Sequence, residues 1–162
     1  MSYLIKSVES GFEIYSEAEN PEVTFTYDSW FSSVGQAEVN QRKLKIKSKN
    51  AWASKFDVFI DGVDQGDIVF NWMGQIIIRL SVDGPEKVYL LKSRGVWNHH
   101  FILEDTEGIT LMLIIPKYNW SNLNYEYQLK IEGNQTVPLE LVTACQYAIN
   151  LYMTMLTTAA AT

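Results

Sequence analysis

Apolar and polar residues alternate along most of this chain. Glu22-Val23-Thr24-Phe25-Thr26-Tyr27-Asp28 sets Val23, Phe25 and Tyr27 on one face, the period-two sign of a half-buried strand. Arg42 to Lys49 repeats the alternation with lysines outside. Strand-length apolar or alternating runs recur at 56–60, 66–70, 75–80, 87–91, 100–104, 110–115 and 125–131. Turn chemistry separates them: Asp61-Gly62, Asp64-Gln65-Gly66, Asp83-Gly84-Pro85 and Thr106-Glu107-Gly108 supply glycines that accept positive φ and aspartates that bond to nearby backbone. Short strands at spacings of about ten residues, joined this way, predict an antiparallel sandwich or barrel. Residues 30–37 carry no clear pattern and read as a loop or an irregular edge.

From residue 137 the pattern changes to a helix. Pro138 suits a first-turn position, where its missing N–H costs nothing, and Glu140 complements the positive end of the helix dipole. Glu140, Thr143, Gln146, Asn150, Thr154 and Thr157 fall in a stripe of roughly 120° at 100° per residue. The rest of the circumference is apolar, apart from Leu139 intruding on the stripe. A bilayer would have to accommodate that stripe, including the Glu140 charge, and no Lys or Arg follows residue 138 to set orientation. A helix wrapped by protein on most sides is the expected solution, ahead of a partner-binding helix or a membrane anchor. The sequence thus predicts a mainly β protein: an antiparallel barrel of about ten to twelve strands enclosing a C-terminal hydrophobic helix. It forms a single domain over 1–162, with strands in 1–133 and the helix over 137–158.

Many short strands followed by an apolar helix resemble the tubby-like C-terminal domain superfamily, with its LURP-one-related and phospholipid scramblase branches. The residues that carry the resemblance are His100–Gly108, Leu111–Lys117, Tyr125–Leu129 and the helix ending Ala148-Ile149-Asn150-Leu151-Tyr152. The resemblance implies a closed barrel around the helix, and for some members phosphoinositide binding through basic side chains. Scramblases carry an acidic calcium segment near the helix; no acidic cluster stands immediately before residue 138 here.

A net charge of −6 argues against a general nucleic-acid binder, which needs a basic surface to displace counterions. Within this acidic chain Arg42, Lys43, Lys45, Lys47, Lys49 and Lys55 crowd into fourteen positions. Lys43, Lys45, Lys47 and Lys49 share one strand face. That face reads first as a solubilising surface that resists edge pairing, and second as a ridge for anionic headgroups or an acidic protein partner. Five tryptophans, at 30, 52, 72, 97 and 120, flank strands and read as plugs of the barrel ends, with interface anchoring the alternative.

The single cysteine, Cys145, lies on the apolar arc and reads as a packed thiol; it leaves no internal disulfide and no multi-cysteine zinc site. Adjacent strand residues His99 and His100 point to opposite faces, so they do not make a metal pair. Asp57, Asp61, Asp64 and Asp67 lack the order of a calcium loop, and Glu104, Asp105 and Glu107 sit at a turn, as ordinary surface acids do. No phosphate-cradling loop or nucleophile elbow is present. The expectation is a non-enzymatic, cytoplasmic binding or scaffolding domain without cofactor, contacting a protein partner or anionic lipid. A structural subunit of a larger assembly is the alternative, and a small-molecule barrel the third.

Overall fold

The computed structural model describes residues 1–29, 32–49, 54–71 and 73–161, with side chains through Leu156. Among these, twelve strands precede one helix. The strands are β1 (Ser2–Val8), β2 (Gly11–Tyr15), β3 (Val23–Tyr27), β4 (Gly35–Val39), β5 (Arg42–Ser48), β6 (Lys55–Ile60), β7 (Val63–Phe70), β8 (Gln75–Leu80), β9 (Lys87–Arg94), β10 (His100–Glu104), β11 (Thr110–Asn119) and β12 (Asn124–Ile131). The helix α1 spans Leu139–Ala161. Every strand pairs antiparallel with its chain neighbours, and β1 pairs with β12 from Ser2↔Lys130 to Lys6↔Glu126, so the sheet closes on itself. The expected barrel around a C-terminal helix is what forms.

Alternation decides which side chains enter. On β5, Leu44 and Ile46 are fully buried while Lys43 and Lys47 are exposed; on β6, Phe56 and Val58 are buried and Lys55 and Asp57 are half-exposed. The stretch read as a loop contains most of β4. Its signal is weak because Gly35 and Ala37 put almost no apolar volume inward. Gly35 is bare for a reason: a Cβ there would sit 2.4 Å from Cε1 of Phe25, whose ring covers the position. The pairs Thr26↔Gln36 and Tyr27↔Gly35 hold β4 to β3.

From Glu140 to Ile149 the helix is buried on every side. The polar stripe does not provide the solvent face that the wheel allowed. Glu140 is 1% exposed and Thr143 and Gln146 fully enclosed, because the barrel wall passes around the stripe as well as the apolar arc. Each of these three enclosed stripe residues finds a partner. Arg42 Nη2 and Asn40 Nδ2 donate to Glu140 Oε1 at 2.7 and 3.2 Å, Thr143 Oγ1 donates to the Leu139 carbonyl at 2.8 Å, and Gln146 Nε2 donates to Asn150 Oδ1 at 2.9 Å. Gln146 Oε1 is left without a protein partner. Tyr147, the largest fully buried side chain, donates its hydroxyl to the Ser33 carbonyl at 2.6 Å. From Asn150 onward the helix rises out of the barrel, and Met155 and Leu156 are exposed.

One seam is incomplete. The β10–β11 ladder ends at Phe101↔Ile114, yet β11 continues to Asn119 paired with β12 alone. Pro116 stands just past the last pair and has no N–H to give a neighbouring strand. The wall therefore splits between β10 and β11 toward the end where α1 emerges.

Candidate docking surface at one end of the barrel

The antiparallel order sorts the connections into two sets. One set surrounds the entry end, where α1 begins; the other surrounds the exit end, where α1 leaves. The sequence has sorted most of its loop residues in the same way, with Glu9 and Asp28 the acids of the exit-end connections among the described residues.

The entry-end connections are acidic. The β2–β3 connection holds Glu17, Glu19 and Glu22, the β8–β9 connection Asp83 and Glu86, and the β10–β11 connection Asp105 and Glu107. Asp61 lies between β6 and β7, and Glu132 between β12 and α1. Nine of the nineteen acids thus lie here, with no lysine or arginine in any of these connections.

The exit end carries apolar tips. Trp97 is 96% exposed and Val96 88%, both in the β9–β10 turn; Met73 of the β7–β8 turn is 83% exposed. In the β11–β12 turn Trp120 is 79% exposed and Leu123 71%. The expectation that tryptophans plug the barrel ends therefore fails for Trp97 and Trp120. The helix already fills the lumen, so their rings have no room inside. Trp30, Trp52 and Trp72 lie outside the described residues; in the sequence they fall between β3 and β4, β5 and β6, and β7 and β8.

These tips stand on stiff turns. Asn119 Oδ1 accepts from the Ser121 and Asn122 amides at 3.0 and 3.2 Å, and Asn119 Nδ2 donates to Glu126 at 2.9 Å. Trp120 packs edge-on against Tyr118 at 4.7 Å, and Tyr118 against Tyr125 at 5.2 Å, a chain of rings reaching from wall to tip. Asn71 Oδ1 likewise accepts from the Met73 and Gln75 amides, both at 3.0 Å. Gly95 closes the turn under Val96 and Trp97 at φ +79°, where a Cβ would meet the Asn98 carbonyl oxygen at 2.6 Å. Turns held by such bonds have already lost part of the backbone entropy that contact with a partner would cost.

Of the basic ridge, Lys43, Lys45 and Lys47 follow the outer face of β5 from the entry end to the exit end, and Lys49 comes just after the strand. Arg42 parts from them. It has the parity of Leu44 and Ile46, and it turns to the entry mouth to bind Glu140 and Asp83. Lys49 lies 3.9 Å from Asp57, and Lys55 lies 3.4 Å from Asp67, which Arg79 also holds at 2.7 Å. Lys47 sits over the Phe59 ring at 4.8 Å. Lys43, Lys45 and Lys47 form no ion pair among the described residues. The exit-end rim thus gathers Lys47, Lys49 and Lys55, joined by Arg94 at the end of β9 and Lys117 late in β11.

The remaining sequence candidates are accounted for locally. Cys145 is enclosed, and burial raises its pKa, as it does those of Tyr127 and Tyr147. His99 Nε2 lies 2.6 Å from Ser93 Oγ, and His100 Nδ1 lies 2.8 Å from the Asn98 carbonyl oxygen. Asp105 caps its own turn, accepting from the Glu107 and Ile109 amides at 2.9 Å. Among the described residues no three His, Cys, Asp or Glu side chains converge as metal ligands, and no helix is long and apolar enough to cross a membrane. The two-ended sorting was legible in principle from the spacing of Trp and acidic residues, but only strand order shows which connections share an end. Comparisons with protein families, with curated proteins and with solved structures give no match.

Proposed function

We propose that this protein is a non-catalytic binding module that docks its exit end onto an anionic membrane surface. The observation that carries the reading is the opposition of the two ends. Tryptophan, leucine and methionine tips face one way with lysines around their rim, while the acidic connections face the other. Tryptophan favours the water–bilayer interface, and each lysine near an anionic surface adds about 1 kcal/mol. An acidic pole held a barrel's length away lies beyond the Debye length of about 8 Å at physiological salt and opposes docking only weakly. The helix, which fills the barrel, supports a surface role over a ligand held in the lumen. A twelve-strand barrel around its C-terminal helix also supports the tubby-like resemblance, which stands as part of this proposal.

The test is flotation with vesicles of phosphatidylcholine, with and without phosphatidylserine, at low and physiological salt. Binding should require phosphatidylserine, weaken with salt, and fall about tenfold or more in Trp97→Ala/Trp120→Ala and in Lys47→Glu/Lys49→Glu. Absence of binding to phosphatidylserine vesicles at low salt would overturn the reading. A stoichiometric protein partner lost on Trp97→Ala/Trp120→Ala would replace it with a protein interface at the same tips.

A further inference from the structure

The split between β10 and β11 opens into a cleft of about 500 Å³. It straddles the barrel rim. Leu113, Ile115 and His100 come from the outer face of the wall, Met153 from the emerging helix, Pro116 from the rim between them, and Trp97 stands at the edge. This size suits a small organic molecule, and an apolar lining with a few converging polar groups is the usual form of such sites.

The polar groups set the ligand's chemistry. They are Asn98, His99, His100 and Tyr125; among the described residues no Lys, Arg, Asp or Glu lines the cleft. A carbonyl oxygen only accepts, so His100, facing the Asn98 carbonyl through Nδ1, carries its proton there when neutral and keeps Nε2 as an acceptor. Burial, and then the neighbouring His100, lower the pKa of His99 and favour its uncharged form. A carboxylate or an ammonium entering this cleft would lose water without meeting an opposite charge. An extended peptide added to the open edge of β11 would find no donor at Pro116.

We infer that the cleft binds one uncharged amphiphile, an alkyl chain bearing a hydroxyl, with the chain on Leu113, Ile115 and Pro116 and the hydroxyl within reach of the His100 acceptor. Trp97 and Tyr125 belong to both the cleft and the exit-end tips, but Trp120 and Leu123 do not line the cleft, so the inference does not depend on membrane docking.

Calorimetric titration of the full chain with decan-1-ol, decanoate and decylammonium, each below its aggregation limit, tests it. Decan-1-ol should saturate a single site and bind about tenfold more tightly than either ion, the difference of roughly one hydrogen bond. Leu113→Trp, which fills the cleft from an outward position, should abolish saturable binding. His100→Phe should keep chain binding but lose the preference for the hydroxyl. Trp120→Ala should leave decan-1-ol binding intact while weakening vesicle flotation, so the two proposals fail separately. Equal binding of all three heads, absence of saturation, or full binding by Leu113→Trp would overturn the inference. If Leu113→Trp does not fold, the head preference of His100→Phe decides.

Discussion

Arg42 Nη2 lies 2.7 Å from Glu140 Oε1, bridging the outer barrel and the first turn of the helix it encloses. Glu140 is buried and Arg42 is about a quarter exposed, and the same guanidinium reaches the exposed Asp83 at 2.8 Å. The Glu140 hydrogen bond, followed by that of Asp83, raises the Arg42 pKa. Removing the arginine leaves a carboxylate enclosed with only the Asn40 amide. Arg42→Met should therefore cost about 3 kcal/mol in urea unfolding, at the low end of the range for breaking a buried pair because water reaches Arg42. Asp83→Asn should cost less than about 0.5 kcal/mol, and Arg42→Met/Glu140→Gln should recover much of the loss. Equal effects of Arg42→Met and Asp83→Asn would show that Glu140 is not the partner that matters.

Ala148 is fully enclosed between the helix and the wall. Ala148→Trp should overpack the lumen and lower stability by at least about 3 kcal/mol, the upper end of typical overpacking costs. Asn150→Leu, at the point where the helix leaves the barrel, should cost less, about 1–2 kcal/mol for leaving the buried Gln146 amide without its partner. Thermal melting of both variants checks the order. A neutral Ala148→Trp would mean that the helix is not central.

His99 carries a pH signature. Burial, the larger cause, and His100 both lower its folded pKa below the ordinary 6.5. Above about 6.5 both folded and unfolded forms are neutral and the contribution is flat. Below it the unfolded chain takes up the proton first, so stability falls as pH drops from 6.5 toward the folded value. His99→Gln should flatten this part of the pH–stability curve measured by urea titration. An unchanged slope would place the acid sensitivity elsewhere.

Cys145 should resist a thiol reagent such as DTNB in the native protein and react at once in urea. It is fully enclosed, and burial raises its pKa well above the usual thiol value. Between the unfolded value of about 8.5 and the raised folded value, the unfolded chain sheds the proton first, so stability should fall as pH climbs. Fast native-state labelling would show that the barrel opens around α1 far more readily than its packing implies.

Much of the fold was legible because burial in a barrel writes itself as alternation. Val23, Phe25 and Tyr27 announce β3, and Leu44 and Ile46 announce β5. β4 escaped because its first two inward positions are Gly35, kept bare by Phe25, and Ala37, leaving Val39 as its one large inward side chain. In β1 the run Tyr3-Leu4-Ile5 hides the alternation, since Leu4 faces outward and is 37% exposed. The helix stripe was visible, but a wheel cannot say whether a polar face meets water or an arginine from another strand. The lysine ridge was likewise visible on β5, whereas its acidic neighbours Asp57 and Asp67 come from β6 and β7 and required register. The exit-end tips belong to separate turns that only the strand order gathers.

The β1–β12 seam has a consequence for how the molecule comes into being. The first strand closes onto the twelfth, and what they close around is the segment after both. Nearly the whole chain must therefore be synthesised before any stave has its final neighbours and filling. A chain emerging from a ribosome would hold an unfinished, apolar-faced sheet until α1 arrives, a late-folding intermediate that chaperones would recognise. A nascent chain stalled before residue 139 should stay protease-sensitive throughout, and releasing α1 should convert the whole barrel to the resistant form in one step.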